Sequence, residues 1–270
     1  MPLVAISLFS NIKSLHIMKE QKVDQVHNAL MSSVNYVDLV LNNVEYLSTL
    51  IATDYRINQM LRTTGEKLSA EDVINMSDLL KNISNISNLS QHVTDISILH
   101  APSNLLISST HGGRKLSNYE ELEWYQLAKD AKGGVIVYIP KETHYITNNI
   151  VDTIINEQHI TIVRLMDLYH SSLSYNAVAI SIPKESLIEL SKPLLANNPG
   201  QLIFLNEERK IISEFNENDQ NEIVPIEKLI GFEYYDMYES IEGTFAIQAK
   251  SQVVVGPLLW HSQTRTYLGK

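Results

Sequence analysis

Three features of the sequence predict an α+β fold: a long opening stretch free of glycine and proline with apolar residues every third or fourth position, a switch near Val93 to short β-rich runs, and a smaller repeat of that strand-rich pattern after Pro193 to Gly200. Composition agrees with a folded chain, because 270 residues, 44% of them apolar and 19% charged, suffice for one large core or two small ones.

The first residues, Leu3 to Asn11, are mostly apolar. They are too few to cross a bilayer, which takes about 20 such residues, and no basic segment precedes them as in a signal peptide. The expectation is the stump of a longer apolar helix. Beyond it, Val23, Val26, Leu30, Val34, Val37, Leu41, Val44, Leu47 and Ile51 form one apolar stripe. A helix from about Asn11 to Arg62 would be roughly 75 Å long at 1.5 Å per residue, the length of a stalk or a coiled-coil seam. Two helices with a break between Tyr46 and Asp54 satisfy the same pattern.

Thr63-Thr64-Gly65 ends this element. Ser69-Ala70-Glu71-Asp72 starts another helix, with Ser69 as N-cap and acids in the first turn, and Val73, Met76, Leu79, Leu80, Ile83 and Ile86 supply its apolar face. The tract NISNISNLS from Asn82 reads as a helix end rich in capping residues. VTDISILH, APSN and LLISST read as strand, turn and strand, the turn set by Pro102 and Asn104. A helix is expected over Ser117 to Lys129, then strands at Gly134 to Pro140, His159 to Asp167 and Asn176 to Pro183, and a short helix at Lys184 to Lys192. The smaller unit opens with QLIFLNEERKIIS as strand, turn and strand. A polar linker, a short helix at Pro225 to Ile230, the strand GTFAIQAKS and the run QVVVGPLLWHSQTRTYLGK follow. This last run stops inside an expected strand, so the chain is expected to continue at both ends.

A net charge of -10 and the absence of any Lys/Arg cluster longer than a pair argue against direct nucleic-acid binding. With no cysteine there are no disulfides, thiolate metal sites or Cys nucleophiles, which suits an exposed, oxidising location. Phosphate-binding glycine loops, zincin helices and nucleophile elbows have no sequence counterpart here. The nine histidines are scattered, no two at the i, i+4 spacing that chelates a metal on one helix. His92 and His100 flank an expected strand, where a cross-strand metal site and satisfied structural histidines are both compatible. Neither a metal site nor a cofactor is expected.

Glu207-Glu208 reads as a solvated turn, and His111-Gly112-Gly113 as either a tight turn or a close approach to a ligand. YYDMY, Tyr234 to Tyr238, reads as a strand packed on one face. YEELEWYQLAKD, Tyr119 to Asp130, is the segment best suited to a small-molecule pocket, because Trp124 and Tyr125 lie near the start of a short helix that follows a hairpin. Anchoring of that helix to the sheet explains Trp124 equally well. Arg164 interrupts an otherwise buried strand, HITIVRLMD, and calls for an anionic ligand or a salt bridge to Asp167, Glu121 or Glu123.

The apolar stump and long helix, DISILHAPSNLLISST before the Trp-Tyr helix, ITIVRLMD leading into a strand and SIPKESLIEL, GQLIFLNEERKIIS, and the final LLWHSQTRTYLGK resemble, in order and spacing over nearly the whole chain, the extracellular double Cache sensor of Gram-positive membrane receptors. YesM-type histidine kinases and membrane-anchored AraC-type regulators carry such sensors. The resemblance implies a long N-terminal helix followed by two PAS-like (Cache) modules with antiparallel sheets. It divides the chain into a membrane-adjacent stump and helix at 1–62, a membrane-distal module at 63–196 and a membrane-proximal module at 197–270.

It further implies an extracellular segment of a cell-membrane receptor, held by helices on either side, that is itself non-catalytic and passes its signal to a kinase or DNA-binding output. The positions matching the usual ligand pocket are Trp124, Tyr125, Tyr138 and Arg164. Amino-acid-sensing members carry R-x-W-[FYW], and Leu122 stands here in place of the Arg. The implied ligand is therefore a sugar or another neutral solute rather than an amino acid. A homodimer joined along the Val23 to Ile51 stripe is expected to couple two copies. A stand-alone extracellular solute- or carbohydrate-binding protein is the alternative, and it would have no need of the long helix.

Overall fold

The computed structural model describes residues 2–140, 154–166, 175–195, 201–205, 211–216, 237–239, 244–250 and 257–263. The expected helix at Pro225 to Ile230, Glu207-Glu208 and Tyr234 to Asp236 lie outside these residues. The chain has the predicted α+β fold: a long N-terminal helix and two antiparallel sheets. It divides into two compact units, Val40–Ser186 and Met1–Leu39 with Leu187–Lys270.

Helix α1 (Pro2–Thr53) is continuous for 52 residues, roughly 80 Å at 1.5 Å per residue. It ends at Thr53, nine residues short of Arg62. Asp54 takes an extended conformation, and its Oδ1 accepts from the backbone N–H groups of Arg56 (2.8 Å) and Ile57 (2.9 Å), which starts α2 (Tyr55–Thr63) as a new helix. The Asn58 amide donates to the Ala52 carbonyl at 2.8 Å, holding the joint closed. The single helix to residue 62 is thus corrected to two, with the break at the end of the interval that the sequence left open.

The apolar stripe is buried within the chain itself. Val26, Leu30, Val34, Val37, Leu41, Val44 and Ile51 are each 5% exposed or less, and Leu47 is half-buried. A coiled-coil seam between copies along those residues is therefore corrected, because side chains already covered by their own chain offer no surface to a second one.

Helix α3 (Ala70–Leu89) begins as expected, with Ser69 and Asp72 forming a reciprocal capping box and Met76, Leu79 and Ile83 buried. It packs against the hairpin β1 (Asp95–His100) and β2 (Leu105–Ser108) and against a third strand, β3 (Gly112–Lys115), that the sequence did not announce. His111-Gly112-Gly113 enters this strand with Gly112 at φ +72°. A 3-10 turn (Tyr119–Glu121) and helix α4 (Glu123–Asp130) replace the single helix expected over Ser117 to Lys129. Strands β4 (Val135–Tyr138), β5 (His159–Leu165) and β6 (Ala177–Pro183) complete the sheet.

The strand order is β3-β2-β1-β6-β5-β4, antiparallel throughout, so that the first and last strands meet at the centre. Every residue of β1, and all of β6 but Pro183, is buried, so both faces of this sheet need cover.

In the other unit, α5 (Lys184–Leu195, counted here from Leu187) precedes β7 (Gln201–Leu205), β8 (Ile211–Asn216), β9 (Met237–Glu239), β10 (Thr244–Lys250) and β11 (Pro257–Gln263). Their order is β8-β7-β11-β10-β9. Numbered locally, this is 2-1-5-4-3, and the larger sheet without β3 has the same order, so the chain uses one topology twice. Leu202, Ile203, Phe204 and Leu205 are all buried, as in a strand covered on both faces.

Truncating Ile98, fully buried at the centre of the larger sheet, to Ala is expected to cost about 2–5 kcal/mol. Val73→Ala, at a position 54% exposed on α3, should stay within about 0.5 kcal/mol. Urea unfolding of the two variants checks both values.

Candidate functional site

Residues directly opposite each other in an antiparallel ladder share a face, so the registers assign every side chain of the larger sheet to one side or the other. One face carries the row Leu106, Leu99, Ala177, Leu165, then the row Ser108, Ser97, Ala179, Val163, Ile136, then the row Asp95, Ser181, Thr161, Tyr138. The opposite face carries Ile107, Ile98, Val178, Arg164 and Val135 in one row and Ile96, Ile180, Ile162 and Val137 in the next.

Helix α4 lies on the first face. Trp124, Tyr125 and Ala128 cluster there with Leu99, Leu106, Val163, Leu165, Ala177 and Ala179, and Ile136, Tyr138 and Tyr175 pack against them. Asn118 caps the preceding 3-10 turn, its Oδ1 accepting from Glu120 N–H at 3.0 Å, and so sets where α4 begins. Tyr125 meets Tyr119 edge-on at 5.0 Å and Trp124 at 6.2 Å between ring centroids.

Three of the four residues expected at the site therefore come together, in different roles. The Tyr125 hydroxyl donates to the Tyr175 carbonyl (3.0 Å) and accepts from the Tyr175 N–H (3.3 Å), tying α4 to the approach to β6, and burial pushes its pKa up to about 12. The Tyr138 hydroxyl donates to Glu123 Oε2 at 3.0 Å, joining β4 to the first turn of α4. Trp124 is 3% exposed, and its indole N–H has no hydrogen-bond partner among the described residues. A buried donor left without an acceptor carries a desolvation cost of about 1–3 kcal/mol.

Arg164 lies on the opposite face. Its Nη2 is 3.7 Å from Glu45 Oε1 on α1, and its Nη1 donates to the Gly133 carbonyl at 3.3 Å. The described partner is thus Glu45, and Asp167, considered from sequence, lies outside the described residues.

Toward the other end of the α4 face the lining becomes polar. Asp95, 4% exposed, accepts from Ser97 Oγ (2.5 Å), Ser108 Oγ (2.7 Å), Ser109 Oγ (2.9 Å) and Thr110 N–H (2.9 Å). Thr161 and Ser181 pair at 3.2 Å beside it. No motif announced this belt, although the alternation Asp95, Ser97, Leu99 placed it on one side of a strand. A separate open cleft of about 330 Å³, lined by Ser84, Ser87, Asn88, Thr94 and Thr110 among others, lies between the end of α3 and the hairpin.

Two of the histidines, His100 and His159, are held by hydrogen bonds within the protein. His100 is fully buried, with Nε2–H donating to the Leu61 carbonyl at 3.0 Å, which leaves Nδ1 to accept from Ser103 Oγ at 2.7 Å. Both nitrogens are used within the protein, and among the described residues no group of three His, Asp or Glu is placed to hold a metal ion. Burial holds the His100 pKa below the usual 6.5, against the opposing pull of the Leu61 carbonyl and Asp72, and burial likewise lowers that of His159.

The strand order, the helix on each face of the larger sheet and the doubled topology define an α+β fold with two antiparallel sheets, and solved sensory domains share that fold. No family model matches the sequence, and no curated protein matches it. Solved structures do. The extracellular domain of the histidine kinase vpHK1S-Z8 is similar with a TM-score of 0.65 at 12% identity, over 93% of this chain and 96% of that one. The sensory domain of the Campylobacter jejuni chemoreceptor Tlp3 is similar with a TM-score of 0.62 at 15% identity, over 92% and 96%. The ligand-binding domain of the Pseudomonas aeruginosa PAO1 amino acid chemoreceptor PctC, in complex with GABA, gives 0.59 at 13% identity, over 90% and 100%.

Tyr125→Phe removes the group that satisfies both backbone positions of Tyr175 and is expected to destabilise the chain by about 1–3 kcal/mol in urea unfolding. Stability should also fall as pH drops below 6.5. The unfolded chain takes up protons at the ordinary histidine value, whereas folded His100 and His159 resist until lower pH, so their contribution is present above 6.5 and is lost through the window beneath it. His100→Gln should flatten that part of the stability–pH curve.

Proposed function

We propose that this chain is the extracellular ligand-sensing part of a membrane signal-transduction receptor. In this reading it takes a small neutral solute against Trp124, Tyr125 and Tyr138, with Arg164 acting from the opposite face. Residues 63–196 form the membrane-distal module, 197–270 the membrane-proximal one, and 1–62 the membrane-adjacent helix. The observation that carries the reading is the buried Trp124 N–H, which has no partner among the described residues and which an acceptor-bearing solute would complete.

A neutral ligand is favoured because no Lys or Arg belongs to the described cluster around Trp124, and Leu122 stands where the amino-acid-sensing pattern places Arg. The similar chemoreceptor domains bind amino acids or GABA, and their ligands provide the contrast for the test. The similar proteins are parts of chemoreceptors and a histidine kinase, which supports a signalling output. A YesM-type kinase or an AraC-type regulator of a Gram-positive cell, with membrane helices flanking this segment, is the specific reading. No catalysis is assigned to the segment, and no helix of the described residues is long and apolar enough to cross a membrane.

Homodimerisation fits a different stripe of α1 from the buried one. Tyr36, Leu39, Asn43, Tyr46 and Leu50 follow a three-four spacing on the exposed side, with Tyr46 at 65% and Leu39 at 53% exposure. Apolar residues at heptad spacing with one Asn suit two parallel copies in register.

Calorimetric titration with monosaccharides, polyols, neutral osmolytes and amino acids tests the ligand. Saturable binding is expected within the neutral set and should weaken roughly tenfold in Trp124→Phe, which keeps the ring and loses the N–H. Binding of amino acids alone, or unchanged affinity in the variant, would overturn it. Sedimentation of Leu39→Glu/Tyr46→Glu tests the dimer: monomers are expected from a dimeric parent, and a parent already monomeric at high concentration contradicts it.

A further inference from the structure

We infer that Arg164 is a positioning residue that couples the ligand-side helix α4 to the long helix α1. The inference rests on the sensor reading of the α4 face and adds the part of the molecule through which that face reaches α1.

Arg164 is the one charged member of an otherwise aliphatic row, Ile107, Ile98, Val178, Arg164 and Val135. An aliphatic side chain there would cost less, since an ion pair drawn partly out of water at best offsets its own desolvation. Stability alone does not account for the Arg. What it does is join three elements. It stands on β5, its Nη2 reaches Glu45 on α1 at 3.7 Å, and its Nη1 donates to the carbonyl of Gly133, in the turn by which the chain leaves α4 for β4. Gly133 takes φ +97°, a conformation that directs this carbonyl and that other residues rarely adopt.

The turn moves with α4: Ala131 N–H bonds to Leu127 O, Lys132 N–H to Lys129 O and Gly134 N–H to Ala131 O. Trp124 and Tyr125 lie on that same helix. A shift of α4 on the sheet therefore moves the Gly133 carbonyl, and the guanidinium, a rigid planar fork, carries the shift to Glu45.

Both contacts are long for charged hydrogen bonds, which ordinarily run at about 2.7–2.9 Å. The third donor, Nε, is buried and has no partner among the described residues. The fork is thus slack as it stands, and a small displacement can tighten it on Glu45 or on Gly133 or bring Nε into use. A contact with more than one arrangement is what coupling between two sites requires.

The test needs no ligand, so a failed solute screen leaves it intact. Hydrogen exchange is followed by mass spectrometry in the whole 270-residue chain, with peptides of β7 as the reference for global opening. Trp124→Phe serves as the perturbation on α4. In the otherwise native chain it is expected to speed exchange in residues 123–134, and also in residues 40–53 of α1 by roughly fivefold, the lower end of ordinary coupling between sites. In an Arg164→Met background the response of 123–134 should remain and that of 40–53 should vanish. Glu45→Gln breaks the same bridge from a partly exposed position and should act alike if Arg164→Met fails to fold. An α1 response that survives both single substitutions, or that is absent from the native background, would overturn the inference.

Discussion

Both faces of the larger sheet have to be kept from water, and the rest of the structure follows from that constraint. Strand β1 is buried at every residue, and β6 at every residue but Pro183, so neither has a solvent side. The face of Ile96, Ile98, Ile107, Ile162, Val178 and Ile180 bears the contacts to α1 and α2, through Glu45 and Leu61. The face of Leu99, Leu106, Val163, Leu165, Ala177 and Ala179 takes the short helix α4. Trp124 and Tyr125 of that helix share the cover with Leu116, Tyr119, Ile154 and Ile155. The Trp124 N–H, buried and without an acceptor among the described residues, is where the proposed solute would bind.

The same constraint separates the two kinds of residue near the site. Side chains on the α4 face meet the proposed ligand or hold the lid, as Tyr125 does through both backbone groups of Tyr175. Side chains on the α1 face meet the long helix. His100 ties the end of α2 to β1, and Arg164 ties α1 to the turn after α4. One strand, β5, thus presents Val163 to one side and Arg164 to the other, and a single sheet lies between the proposed solute and the helix.

Much of the fold was legible because it rests on periodicity and caps. The three-four stripe of α1, the Ser69 capping box and the Pro102–Asn104 turn all stand where local chemistry puts them. Asp54 was less visible, because a break in a long helix needs only one side chain that competes for the next turn's N–H groups, and an aspartate does so wherever it falls. Strand β3 left no trace in Gly112-Gly113-Arg114-Lys115, since an edge strand with no buried face needs no apolar pattern. The aromatic pair of the site was visible as Trp124-Tyr125. Which face Arg164 takes was not, because alternation tells that neighbours on a strand diverge and only the register with Val135 and Val178 tells which way. The partner Glu45 lies more than a hundred residues away in sequence, beyond the reach of any local rule.

The most direct measurement of the central claim uses the two tryptophans, Trp124 and Trp260. In a Trp260→Phe chain the indole of Trp124 is the sole such emitter, and its fluorescence can be followed while a solute shown by calorimetry to bind is titrated in. The account predicts a saturable shift in emission with the same midpoint as the heat. Binding heat with an unchanged Trp124 spectrum would place the ligand elsewhere and contradict the account.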